Sequence, residues 1–310
     1  MPRPPPGDTY RGRFAPSPTG PLHFGSLIAA LGSWLDARSR GGEWLVRIED
    51  LDPQREVDGS ADAILRALEA FGLGWDGPVL YQSARRDAYA EAIEQLGNKG
   101  AIFPCACSRS EVATAGLRGM EGPRYPGTCR GGLPRGRRAR TLRLRVEEGA
   151  VAFCDRVHGI LHQDIAREVG DFVLRRADGM PAYQLAVVVD DAYQGVTQVV
   201  RGADLVSSTP RQIFLQRALG LPSPEYAHLP LAVDAEGRKL SKSDAAAPVD
   251  PEEPLPALLQ AWAFLGQRAF PEPPANLAEL LGHALSSWDP SRIPARRSCP
   301  VPSRPRDPDR

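Results

Sequence analysis

Leu27, Ala30, Leu31, Trp34 and Leu35 recur at the spacing that puts apolar side chains on one helical face. The pattern predicts a helix over residues 25–40, with Gly41-Gly42 as its stop. On either side the period changes. Residues 10–15 read as a short strand. Over residues 44–49, Trp44, Val46 and Ile48 share one face, with Arg47 and Glu49 out of phase. A second helix, capped by Ser60, carries Ile64, Ala67, Leu68 and Phe71 as its stripe and ends at Gly72 and Gly74. A third carries Ala88, Ile93 and Leu96.

Between residues 105 and 168 the pattern breaks into Gly, Pro, Arg and Cys-rich sequence, which reads as an insertion. Alternation then resumes, with 171–175 extended, 183–190 helical, 196–201 extended, 209–219 helical and 228–233 extended. Two further helices fall at 255–265 and 277–288. Such alternation predicts an α/β chain, a Rossmann-type parallel sheet that binds its ligand at the carboxyl ends of the strands. The expected organisation is a flexible leader 1–9, one catalytic half 10–104, the insertion 105–168, a second half 169–247, a helical tail 248–290 and a disordered end 291–310.

Composition narrows the class. Hydrophobic residues at 42% and charged residues at 25% are ordinary for a soluble chain, and no apolar run approaches the roughly 20 residues of a membrane span. The opening Met-Pro-Arg-Pro-Pro-Pro has no apolar signal region, so a cytoplasmic protein is expected, with no membrane contact and no obligate protein partner evident. A net charge of zero excludes bulk polyanion binding. Any nucleic-acid contact must then rest on a local patch, for which Arg124, Arg130, Arg135, Arg137, Arg138, Arg140, Arg143 and Arg145 compete with the reading of a solvated basic loop.

An odd count of five cysteines argues against a disulfide framework. Cys105, Cys107 and Cys129 could hold zinc, though the usual two-residue spacing is absent and a fourth ligand is missing. Cys154 reads as a core thiol and Cys299 as a tail thiol.

Two motifs carry chemistry. Arg13-Phe14-Ala15-Pro16-Ser17-Pro18-Thr19-Gly20, followed by Leu22-His23-Phe24-Gly25-Ser26, leads from a strand through a Pro/Gly turn into a helix N-terminus. Its unpaired N–H groups and positive dipole end suit a triphosphate. Gly25 leaves room for a flat adenine, and His23 can stabilise charge building on the attacked phosphate. Lys239-Leu240-Ser241-Lys242-Ser243 follows a turn, and Lys242, helped by Lys239, can neutralise departing pyrophosphate. Singly, each motif is as well explained by a surface turn; in this order they support each other.

These strings, with Arg47-Ile-Glu-Asp-Leu-Asp and Val200-Arg-Gly-Ala-Asp-Leu, resemble the glutamyl-tRNA synthetase family over residues 10–245. The resemblance implies a ligase that condenses L-glutamate with ATP, using Mg²⁺, to glutamyl-adenylate. It places Arg13, Phe14, Ala15, Pro16, Ser17, Glu49, Tyr183 and Arg201 around glutamate, with Glu49 on the amino group. It places His23, Gly25, Ser26 and Lys242 around ATP, and makes His23, Lys239 and Lys242 catalytic. Asp50 and Asp52 are given no role.

Some positions depart from the full-length pattern. Phe24 and Ser26 replace an aliphatic residue and a second histidine, Ala203 stands where glutamate is usual, and little chain follows Ser243. These features are similar to a shortened branch that joins glutamate to queuosine in the anticodon of tRNA(Asp). The same branch implies one structural Zn²⁺ on Cys105, Cys107, Tyr125 and Cys129. Two alternatives stay open: a truncated synthetase charging a terminal adenosine, and a non-catalytic paralogue that binds RNA.

Overall fold

The computed structural model describes residues 9–115, 118–119, 122–234, 237–238 and 248–301. Its strands in chain order are β1 (Arg11–Phe14), β2 (Glu43–Ile48), β3 (Leu80–Tyr81), β4 (Ile102–Cys105), β5 (Arg118–Gly119), β6 (Gly122–Pro123), β7 (Thr141–Leu144), β8 (Ala150–Asp155), β9 (Gly159–Asp164), β10 (Val173–Arg175), β11 (Gln198–Gly202), β12 (Glu225–Leu229), β13 (Leu231–Val233) and β14 (Ser298–Pro300). The helices are α1 (Phe24–Arg38), α2 (Ser60–Ala70), α3 (Arg86–Asn98), α4 (Arg109–Thr114), α5 (Ile165–Glu168), α6 (Tyr183–Tyr193), α7 (Thr209–Leu219), α8 (Pro254–Phe264) and α9 (Leu277–Ser287).

β1, β2 and β3 pair in parallel, as do β11, β12 and β8. Thr197 N–H donates to Arg11 O at 2.9 Å and brings β11 against β1. The strand order then runs β3-β2-β1-β11-β12-β8-β9, reversing direction of growth between β1 and β11. That reversal is the switch point at which an open α/β sheet leaves a ligand crevice. α1 crosses over from β1 to β2 and packs closely on β12. A Cβ at Gly32 would come within 2.7 Å of Leu229 Cδ1, so glycine is what permits the approach.

Apolar burial divides into three clusters. The largest surrounds α1 with Leu27, Leu31, Leu35, Trp44 and Trp262; a second gathers Tyr89, Leu144, Leu185, Val199 and Tyr226. The third holds only Phe103, Cys105, Ala106, Val112, Tyr125 and Cys129, within the insertion.

The structure alters several expectations. Ser60 does not cap α2: Gly59 holds that place at φ 73°, and Ser60 Oγ instead donates to Gly20 O and accepts from Gly20 N–H. α3 buries Tyr89, Ala92 and Leu96, with Ala88 only half-buried. Within 105–168, β8 and β9 form a hairpin whose first strand pairs with β12 at Tyr226. Cys154 lies on that hairpin's exposed face and is no core thiol. Residues 291–301, expected to be disordered, include β14, which pairs in parallel with β13 from Leu231 opposite Ser298 to Val233 opposite Pro300. Backbone pairing fixes this segment without apolar periodicity.

Candidate active site

At the switch point lies a cleft of about 520 Å³. Arg13, Phe14, Ala15, Pro16, Ser17, His23, Gly25, Ser26, Glu49, Tyr183 and Arg201 all line it. Lys239 and Lys242 lie outside the described residues.

The first motif is pinned from three directions. Ser60 holds Gly20; Glu49 N–H donates to Pro16 O at 2.9 Å; and Val249 N–H donates to Leu22 O at 2.9 Å, beside a bridge between His23 and Pro248. The chain leaving the second motif therefore returns alongside the first. His23 is the N-cap of α1, its Nδ1 accepting from Ser26 N–H at 3.2 Å, and Nε2 lies 3.0 Å from Ser26 Oγ. A Cβ on Gly25 would come 3.2 Å from His23 Cε1. Glycine here makes room first for the histidine ring.

At the other end, charges interlock. Arg13 Nε donates to Asp191 Oδ1 at 3.2 Å, and fully buried Arg47 reaches the same oxygen at 2.8 Å and Glu49 at 3.4 Å. Burial raises the Glu49 carboxyl above its ordinary range despite the neighbouring guanidinium groups. Burial acts on Asp191 too, but Arg13 and Arg47 outweigh it and hold that carboxyl low. Tyr183, whose phenol burial pushes upward, stands at the start of α6. Phe14 turns its ring onto Trp44, with centroids 6.1 Å apart.

Arg201, expected around glutamate, spends most of its guanidinium on the protein. Its Nε donates to His228 Nε2 at 3.1 Å and its Nη2 to Thr209 Oγ1 at 2.7 Å, while Nη1 is buried without a protein partner. Asp50 accepts from Ser83, and Asp52 pairs with Arg55 and Arg176. Asp191 and His228 escaped sequence reading. For Asp191 one signal exists, an Asp-Asp pair directly after the apolar run of α6.

In the insertion, Cys107 and Cys129 sulfurs lie 3.8 Å apart, and all three cysteine ligand atoms fall within 4.8 Å of one another. Tetrahedral zinc with bonds of about 2.3 Å separates sulfurs by about 3.8 Å, so the thiols fit. Tyr125 Oη sits 3.3 Å from Cys105 Sγ and 3.9 Å from Cys107 Sγ, and accepts from Cys129 N–H at 2.8 Å. Burial opposes ionisation of Cys105, but Tyr125 and Arg143 bring it down to about 7. The basic run splits: Arg130 pairs with Asp171, Arg137 with Glu111, and Arg143 packs over Tyr125. Arg135, Arg138 and Arg140 stay exposed.

The catalytic-domain family described as tRNA synthetases class I (E and Q) matches residues 9–254. Glutamyl-Q tRNA(Asp) synthetase of Dechloromonas aromatica is 56% identical over 298 residues, covering 95% of this chain and 99% of that one. The chain belongs to the glutamyl-Q tRNA(Asp) synthetase family. Its Chromobacterium violaceum member is likewise 56% identical, over 92% of this chain and 96% of its own length. The family's fold extends to a solved glutamate-tRNA synthetase from Elizabethkingia anophelis, at TM-score 0.79 and 26% identity, over 96% of this chain and 68% of that one. Family membership thus agrees with the parallel sheet and switch-point cleft.

Proposed function

We propose that the cleft activates L-glutamate with ATP and Mg²⁺ and passes the glutamyl group to queuosine in the anticodon of tRNA(Asp). The observation that carries this reading is the convergence of Arg13, Glu49, Tyr183 and Arg201 with His23, Gly25 and Ser26 on one cavity. Glutamate has two carboxylates and an ammonium. Arg201 Nη1, a buried guanidinium nitrogen without a partner on a residue that lines the cleft, suits a carboxylate, and Glu49 regains a reason to ionise when an ammonium arrives. His23 at the α1 N-terminus stabilises charge on the attacked phosphate, and Lys239 and Lys242 take the leaving pyrophosphate.

The queuosine acceptor follows from the relatives' name and from Ser26 and Ala203, positions where the sequence leaves the full-length pattern. One structural Zn²⁺ on Cys105, Cys107, Tyr125 and Cys129 would tie the insertion, whose Arg135, Arg138 and Arg140 suit RNA phosphates. No helix among the described residues is long and apolar enough to cross a membrane, and a cytoplasmic setting accords with the substrates.

Labelled glutamate, ATP and purified enzyme are incubated with tRNA(Asp) carrying or lacking queuosine. Label enters only the queuosine-containing RNA. Equal labelling of both, or labelling of tRNA(Glu) alone, returns the reading to a truncated synthetase.

A further inference from the structure

Asp155, His228 and Thr209 do not line the cleft, yet all three are buried directly behind Arg201. An arginine Nε–H can only donate, so the His228 Nε2 that receives it at 3.1 Å must present a lone pair. The ring proton then sits on Nδ1, which faces Asp155 Oδ2 at 2.6 Å. The other Asp155 oxygen is occupied by the N–H groups of Val157 at 3.0 Å and His158 at 2.9 Å, in the turn between β8 and β9. Asp155 is thereby held in one orientation, acceptor toward the imidazole. Tyr226 stacks on His228 with rings 6° from parallel, and Thr209 Oγ1 accepts from Arg201 Nη2. Every guanidinium nitrogen of Arg201 except Nη1 is committed.

We propose that Asp155 selects the tautomer of His228, and that His228 and Thr209 thereby fix Arg201 with Nη1 as the seat for a carboxylate of glutamate. The three are positioning residues, and the assignment rests on the glutamate reading above. Neutral His228 agrees with its surroundings. Burial, reinforced by the charge of Arg201, pushes the ring down to about 4 against the opposing hydrogen bond of Asp155. A protonated ring would turn a second N–H toward the arginine and unseat it.

Asp155→Asn tests the tautomer with little change of shape. The amide oxygen keeps the Val157 and His158 bonds, so its NH₂ faces His228 Nδ1, which must then accept. The proton moves to Nε2 and confronts Arg201 Nε–H, donor against donor. Glutamate-dependent ATP–pyrophosphate exchange should show the KM for glutamate raised about tenfold or more with the KM for ATP unchanged. Long-range ¹H–¹⁵N spectra of the imidazole should show Nδ1–H in the wild type and Nε2–H in the variant. An Nε2–H ring in the wild type, or an inverted ring with unchanged KM for glutamate, overturns the proposal. Should Asp155→Asn not fold, Thr209→Val removes the hydroxyl oxygen that accepts from Arg201 Nη2 at 2.7 Å and lies 3.1 Å from His228 Nε2. It should raise the KM for glutamate several-fold, and an unchanged value there is equally fatal. A wild type with no glutamate-dependent exchange refutes the parent reading instead, and the wild-type spectrum still decides the tautomer.

Discussion

Glu49 is held at a disadvantage by its own surroundings. Its side chain is 9% exposed, and burial outweighs the help of Arg47 and Arg13, so the ionised carboxylate costs the folded chain stability at neutral pH. Glu49→Gln removes the charge and keeps the shape, while Arg47 retains Asp191. The melting temperature should stay level or rise. The KM for glutamate should rise about tenfold or more, on the order of 1.4 kcal/mol, because the ammonium loses its counter-charge. A fall in melting temperature with unchanged KM would make Glu49 a structural ion-pair partner of Arg47. At this scale, residues in short contiguous strings were readable. Arg13, Ser17 and His23 fall within one strand-turn-helix stretch, and the structure places them in one cleft. Asp191 lies 178 residues from Arg13, and Asp155 lies 73 from His228; no local pattern announces either pairing.

Among the elements, the insertion stands apart. Its core is six buried residues, two of them cysteines, which is too little apolar area to hold a fold by burial alone. Elemental analysis of protein purified without chelator should find about one zinc per chain. Strong chelation should melt the insertion in a separate, earlier transition, leaving the cores around α1 and Tyr226 folded. Unchanged melting on chelation, or metal-free protein, reduces Cys105, Cys107 and Cys129 to ordinary thiols. The same region shows why some elements could not be read. β8 puts Val151 and Asp155 inward and leaves Ala150, Ala152 and Cys154 outward, so a carboxylate stands inside and small apolar residues outside. The period of two survives, but the inward carboxylate and the small apolar residues outward blur its apolar-in, polar-out signal. By contrast α7, whose structural bounds Thr209–Leu219 match those read from sequence, keeps Pro210 in its first turn and Gly220 at its end.

At the scale of the molecule, the parallel architecture was readable from strand-helix alternation, whereas the closure of the chain on itself was not. β14 carries no periodic apolar signal and is placed by backbone pairing with β13, supplemented by Val301 N–H to Val233 O at 3.1 Å. Leu231 and Ala232 of β13 line the cleft. A chain ending at Arg297 should therefore melt earlier, by about 2–4 °C for each kcal/mol of pairing lost, and show a higher KM for ATP. Identical melting and exchange would make β14 a passive appendage.

The pairing also sets an order of assembly. During synthesis on the ribosome β13 emerges with the edge that β14 covers still bare, and it stays so until β14 is out of the exit tunnel. A nascent chain stalled before β14 already holds both ATP-handling motifs, yet lacks the strand that pairs with β13, whose Leu231 and Ala232 line the cleft.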